Sequence, residues 1–260
     1  MPFTLAHPAA ILPLRGSRYL RTVPLILGAL VPDTRYYVPG EVARYFAVPE
    51  THSFEGSFTT CLLLGYASLI AVYQLRGPLT ALLSARARWL YLTAIAPFKQ
   101  PREWLIAPLA IVVGAWTHLL WDSATHPEGW IVHRVAALSA PVTIGSYTGQ
   151  VSHLLQYVSS VFGLVVMVVW YFRLSPAPPR TVRDAHATRS LAGPVLSLVA
   201  AAAILIGSVQ ATEYYGHYHN VYRTLNILLT RSLAWFGALY LIAGTIVTLE
   251  QTHGGGQPRS

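Results

Sequence analysis

Between Trp116 and Trp130 a long apolar run ends in a cluster of ligand-type side chains, Trp116-Thr-His-Leu-Leu-Trp-Asp-Ser-Ala-Thr-His-Pro-Glu-Gly-Trp130. If the run is helical, His118 and Asp122 stand at i and i+4 and project from one face, one above the other. An imidazole and a carboxylate so placed share a cation, and His126 follows at the helix exit. The same spacing also suits a helix end that sets a capping aspartate and a solvated histidine at a membrane surface. H-x3-D is a short pattern, and by itself it leaves both readings open.

Other polar groups interrupt apolar sequence in similar ways. His7, between Ala6 and Pro8, reads as a hydrogen-bonded core residue or as a ligand. Asp33 follows nine mostly apolar residues and Pro32, at a helix C-terminus where the dipole disfavours negative charge; it is either a turn former or the partner of a cation. His52 stands between Thr51 and Ser53 just before a long apolar run, the setting of an interfacial histidine with a wet tip. His153, Gln156 and Ser160 recur at i, i+3 and i+7, a polar stripe that must face protein or a cavity, for helix-to-helix hydrogen bonds or for contact with substrate. Gln210, Glu213, His217, Asn220 and Thr224 share a face if one helix continues through Gly216, with His219 off it. Glu213 and His217 then repeat the carboxylate and imidazole pairing, as acid/base candidates or as groups behind metal ligands, against the alternative of a solvated loop. Arg231, near the start of the last apolar run, either snorkels to the surface or binds an anionic group of a substrate.

The elements that must position these groups follow from composition. The chain has 260 residues, 53 % hydrophobic and only 11 % charged, which is too little charge to cover a water-soluble globule. Seven Trp and fifteen Tyr suit the half-wet belts at membrane interfaces. The formal charge of +8 rests almost wholly on arginine, with Lys99 the sole lysine. No basic stripe with interleaved aromatics points to nucleic acid, so membrane lipids with anionic headgroups are the expected counterpart. Cys61 is the single cysteine and lies within an apolar run, which excludes a disulfide framework and a thiolate metal site. The start lacks the basic and long apolar regions of a signal peptide, and the N-terminus is expected to remain as mature structure.

These properties predict an all-α fold, a polytopic membrane helix bundle forming one membrane-embedded domain over residues 1–252. Leu5 to Leu14 and Val23 to Val31 are apolar but too short to cross a bilayer, so residues 1–56 are expected to form cap helices packed over one end. Thr4 is placed to cap the first, with Pro8 in its first turn. Tyr36 to Glu55 reads as irregular. Residues 57–252 supply about five spans: Ser57 to Leu75, Trp104 to Trp121, Val151 to Phe172, Leu191 to Val209 and Leu228 to Leu249. Residues 253–260 read as a disordered tail.

Charge then orders the spans. Arg76 to Glu103 carries five basic residues and Arg173 to Ser190 carries four, whereas Asp122 to Gln150 and Gln210 to Asn226 carry one each. By the positive-inside rule the first pair is cytoplasmic. His52, His118, Asp122, His153, Glu213 and His217 therefore all fall on one side of the membrane. The rule makes that side extracytoplasmic, although Arg15, Arg18, Arg21, Arg35 and Arg44 ahead of the first span argue the other way.

The order His7, Pro32-Asp33, Thr51-His52-Ser53 and His118-x3-Asp122 resembles a bacterial integral-membrane family of unknown function that opens with a similar Met-Pro-Phe-Thr-Leu-Ala-His. Over residues 1–126 it also resembles the inner-membrane-associated, metal-dependent hydrolases, and more remotely zinc-dependent phospholipase C. The resemblance implies that His7, Asp33, His52, His118 and Asp122 are metal ligands, that the protein sits in a bacterial plasma membrane, and that it is a hydrolase. It departs from the hydrolase pattern in having Thr34-Arg35 after Asp33 and Glu50 ahead of Thr51. Five N/O groups hold one zinc with a position left for water, or two ions if a carboxylate bridges them, with magnesium or manganese as alternatives. The expected activity is phosphoester hydrolysis of a small lipidic substrate, with Glu213, His153 and His217 as catalytic candidates. Two other readings use the same residues: a cyclase, transferase or lyase acting on a prenyl diphosphate in an aromatic-lined pocket, and a metal-bearing scaffold or transporter. Oligomeric state is not legible from the residues.

Overall fold

A computed structural model of the chain describes residues 3–17, 19–37, 51–145, 147–174 and 192–254. Much of the irregular stretch expected from Tyr36 to Glu55, most of the basic connection after Arg173 and residues 255–260 of the tail lie outside them, as do Arg18 and Arg44. The chain is an integral membrane protein. Five helices are long and apolar enough to cross a bilayer: Phe54–Gln74, Pro101–Thr125, Val151–Arg173, Ala192–Tyr218 and Arg223–His253. Large apolar side chains on them, such as Leu105, Phe162 and Leu198, are turned outward. In water that surface would be a liability; in lipid it needs no cover, and the backbone polar groups are satisfied within each helix.

In chain order the elements are a 3-10 helix Thr4–Leu14, α1 Thr22–Leu30, a 3-10 turn Val31–Tyr36, α2 Phe54–Phe58, α3 Thr60–Gln74, α4 Arg76–Ala81, α5 Ala85–Ile95, a 3-10 turn Ala96–Lys99, α6 Pro101–Thr125, α7 Ala136–Ser139, strands β1 Pro141–Ile144 and β2 Tyr147–Gln150, α8 Val151–Arg173, α9 Ala192–Tyr218 and α10 Val221–Gly254. The fold is all-α apart from the antiparallel hairpin β1–β2, in which Pro141 pairs with Gln150. The chain groups into two compact units.

The first unit comprises Met1–Thr34, Ala43–Ile70 and Pro97–Pro176. Its first element is a 3-10 rather than an α-helix, and Pro8 and Pro13 within it lack the N–H groups that an α-helical ladder would use. Phe3, not Thr4, is its N-cap, with no side-chain capping bond, which corrects the capping role expected of Thr4. The core of the unit is Ile11, Leu25, Ala29 and Ala110, all fully buried. Here α1 crosses α6 at two glycines. A Cβ on Gly114 would lie 2.3 Å from the Leu25 carbonyl oxygen, and one on Gly28 2.1 Å from that of Ile111. The contact is backbone against backbone, the closeness that small residues allow between membrane helices. At the start of the crossing Arg21 grips buried Glu103 with two nitrogens, at 2.5 and 2.6 Å, a fork geometry that fixes orientation as well as charge.

The second unit comprises Arg35–Val42, Ala71–Ala96 and Ala177–Ser260. Within it α9 and α10 form a hairpin around buried Leu82, Val199 and Tyr240. The turn is made by His219, the one non-glycine residue at positive φ among the described residues, and by Asn220, whose Oδ1 accepts the Arg223 amide at 2.9 Å. That chemistry corrects the single face expected for Gln210 to Thr224. The helix does run through Gly216, but it stops at Tyr218, so Asn220 and Thr224 belong to the turn and the next helix.

Candidate metal centre

Each ligand-type side chain of the first unit is set by a local reason. His118 lies in α6 one turn beyond Gly114, and the close crossing brings its Nδ1 to 2.8 Å from the Ala29 carbonyl. A carbonyl only accepts, so Nδ1 carries the proton and Nε2 presents its lone pair inward. Asp122, one turn further along α6, places Oδ2 at 3.2 Å from that Nε2. The Thr51-His52-Ser53 triplet divides the work of holding His52. Ser53 caps α2 through the Gly56 amide at 2.9 Å, and the Thr51 hydroxyl donates to the Pro32 carbonyl at 2.8 Å, beside Asp33. With its proton spent there, Thr51 Oγ1 accepts from His52 Nδ1 at 3.3 Å, and His52 Nε2 faces Asp33 Oδ1 at 3.4 Å and Asp122 Oδ2 at 3.7 Å. Asp33 Oδ1 is also 3.7 Å from His118 Nε2, while its Oδ2 takes the Thr4 hydroxyl at 2.5 Å.

His7 completes the cluster from the other side. Its ring stacks on that of His118 at 3.7 Å between centroids, and its Nε2 is 3.6 Å from Asp122 Oδ1. Both of its nitrogens, together with His118 Nε2 and Asp122 Oδ1, are buried without a hydrogen-bond partner. Asp33, His7 and His118 are shut off from the surface, whereas the side chains of His52 and His126 are 22 % and 32 % exposed, so the cluster opens on their side. His126 is spoken for: Nδ1 lies 3.2 Å from the Asp122 carbonyl, and Nε2 accepts from the Gln156 amide at 3.2 Å.

This is a knot of acceptors. Burial lowers the His7 pKa to about 3, so it is neutral at ordinary pH. For Asp33, burial is the largest influence and favours the acid. It is outweighed by the neighbouring imidazoles, that of His52 foremost, and by the hydrogen bond from Thr4, which together hold the carboxyl at about 2. Lone pairs and two carboxylates pressed together repel unless a cation lies among them. The donors fit one. Around an ion with bonds of about 2.0–2.1 Å, tetrahedral neighbours lie roughly 3.3 Å apart, and the four separations linking His52 and His118 to Asp33 and Asp122 run from 3.2 to 3.7 Å. Two overlapping triads, His7–His118–Asp122 and Asp33–His52–His118, meet the spacing for a metal ion. A divalent cation would balance the two carboxylates, and the N/O donor set is one that zinc accepts.

All five residues expected as ligands therefore converge. The three expected as catalytic lie elsewhere in the chain order. His153 is hydrogen bonded to the phenols of Tyr147, at 2.8 Å, and Tyr157, at 3.3 Å. Glu213 and His217 lie on α9 in the second unit with exposed side chains. The α8 stripe serves packing at its other two positions: Gln156 holds His126, and Ser160 accepts the Phe3 amide at 3.0 Å. The residues that sequence reasoning missed are Thr4, Thr51 and the Ala29 carbonyl. Thr4 carried a signal, since i and i+3 eclipse in a 3-10 helix and place it on the face of His7.

The two shifted groups make the fold acid-sensitive in a defined window. An unfolded His7 takes up a proton near pH 6.5, whereas the folded one refuses it down to about 3, so stability falls as pH drops through that interval. Asp33 adds to the loss between its ordinary value, 3.8, and about 2. At pH 5.5 the His7 contribution is about 1.4 kcal/mol, or roughly 3–5 °C in melting temperature. Thermal unfolding in detergent at pH 7.5 and 5.5 measures it, and His7→Gln should shrink the difference. An equal difference in the variant would show that His7 is not its source.

Comparison with curated proteins and with solved structures finds no match. A family model matches residues 1–249, and the chain belongs to the family that this model describes, the domain of unknown function DUF4184.

Proposed function

We propose that the protein is an integral membrane hydrolase that uses a divalent metal, zinc by its donor set, to cleave a phosphoester in a lipidic substrate. The observation that carries this reading is the acceptor-only cluster, in which His52 and His118 offer lone pairs toward the carboxylates of Asp33 and Asp122 and one side is open. His52, His118, Asp33 and Asp122 would hold the ion, with His7 adjoining Asp122 Oδ1. When bound, such an ion polarises a phosphoryl oxygen or lowers the pKa of its water.

The rest falls to the chain's own groups. Ala29 and Thr51 fix the tautomers of His118 and His52, and Thr4 steers Asp33 so that Oδ1 faces the imidazoles. Such supporting partners are worth about 10–100-fold in metal affinity or activity. Stacked His7 and His118 close the far wall against water, so entry is by way of His52 and His126. The outward-facing apolar surface of the spans holds the protein in the membrane that supplies such a substrate.

The test is incubation of zinc-loaded and chelated protein with phospholipids and, separately, with prenyl diphosphates, the products read by mass spectrometry. Release of phosphate or a phosphorylated headgroup from the loaded protein alone is expected. Intact lipid in both samples, or a rearranged hydrocarbon from a prenyl diphosphate, would overturn the hydrolase reading.

A further inference from the structure

One cation of the second unit has no neutralising partner among the described residues. Arg231 lines a cavity of about 580 Å³ with Gln210, Tyr214, Ala234, Trp235 and Tyr37, all within that unit. The volume lies in the range of small-molecule sites, roughly 300–1,000 Å³. Among the described residues Arg231 makes no ion pair and no hydrogen bond. Gln210 Oε1 is buried with no donor to accept from.

Depth makes the unpaired charge informative. Arg231 stands eight residues into the 31-residue span Arg223–His253. That span is about 46 Å long at 1.5 Å per residue, against about 30 Å of hydrocarbon. With the excess shared between its ends, Arg231 sits roughly 4 Å inside the hydrocarbon boundary, within side-chain reach of the phosphate layer. A guanidinium there needs an anion or a route to water, and its fork suits two oxygens of one phosphate. Gln210 adds a requirement that a bare phosphate diester does not meet, a hydroxyl or amine that donates. Trp235 and Ala234 provide an apolar wall of the kind an acyl chain covers.

We propose that this cavity binds an anionic amphiphile with a hydroxylated phosphate headgroup, the phosphate on Arg231, a headgroup hydroxyl on Gln210 and the chain along Trp235 and Ala234. The site is independent of the metal centre, and its test does not involve turnover.

Protein in neutral detergent is titrated with short-chain phosphatidylglycerol, short-chain phosphatidylcholine or inorganic phosphate, with occupancy read by native mass spectrometry. Phosphatidylglycerol should bind at least about tenfold more tightly than the other two. Arg231→Gln should weaken it about tenfold, the loss of one charged hydrogen-bonding partner. Ala234→Trp keeps the cation and fills the cavity, so it should weaken binding as much and serves alone if Arg231→Gln does not fold. Arg223→Gln, which removes a cation outside the cavity, should leave binding unchanged. Equal affinity for the two lipids, undiminished binding in Ala234→Trp, or inorganic phosphate binding as tightly as the lipid would each overturn the proposal, the last by making the ligand a free anion.

Discussion

Metal carried by the purified protein is expected to fall by at least about a hundredfold when His118 and Asp122 are both replaced by alanine. Groups that merely support a ligand cost up to about a hundredfold on removal, and these two are placed as ligands themselves. His118 belongs to both ligand triads, and the two oxygens of Asp122 face different imidazoles, Oδ2 toward His118 and His52, Oδ1 toward His7. No other pair removes as much of the cluster. His133→Ala is the matched control, since its imidazole is solvent-exposed and among the described residues meets only exposed Glu128. Thr51→Val should fall between, by about tenfold, because it leaves every ligand in place and frees the His52 tautomer. Elemental analysis of the four proteins after identical metal loading, with monodispersity checked on a sizing column, decides the matter. Equal metal in the wild type and the double variant would remove the centre and, with it, the hydrolase reading.

The cluster was partly legible in the sequence. His118 and Asp122 were placed on one face by helical spacing alone, because i and i+4 is a property of one element and needs no partner. His7, Asp33 and His52 were open to bland readings on their own residues and joined the ligand set through resemblance. Their meeting depends on a 3-10 helix, a 3-10 turn and a helix cap arriving at one end of α6, and periodicity carries no record of which elements arrive where. The spans were legible because apolar length is a coarse quantity that survives errors at the boundaries. The hairpin β1–β2 was not, since four-residue strands leave little pattern in a loop rich in turn residues. Asn220 and Thr224 show the opposite failure: a face drawn from Gln210 to Thr224 assumed one helix, and the left-handed His219 with the Asn220 cap ended it at Tyr218.

What holds the ligand elements in register is the feature that pattern reading valued least, a pair of glycines in apolar helices, and this leads to the second large effect. Gly114→Leu is expected to abolish metal binding although it alters no ligand. A Cβ at Gly114 would stand 2.3 Å from the Leu25 carbonyl oxygen and 2.9 Å from the Ala29 nitrogen, both main-chain atoms that no rotamer change can move aside. Overpacking of this kind costs about 1–3 kcal/mol when side chains yield, and more when only backbone can. The helices must part, and the first bond lost is His118 Nδ1 to the Ala29 carbonyl, four residues along α6 from the substitution. Once that bond breaks, Nε2 is no longer fixed as the acceptor, and Asp33, carried at the end of α1, retreats from Asp122. Gly163→Leu is the instructive comparison. There a Cβ would meet Ala6 at 2.8 Å, so the substitution displaces the 3-10 helix that bears His7 and leaves the α1–α6 crossing intact. Metal analysis of both variants should find the Gly114 protein at least about tenfold poorer than the Gly163 protein. If instead Gly114→Leu retains metal at the wild-type level, the crossing does not set the site, and the Ala29 carbonyl is not what orients His118.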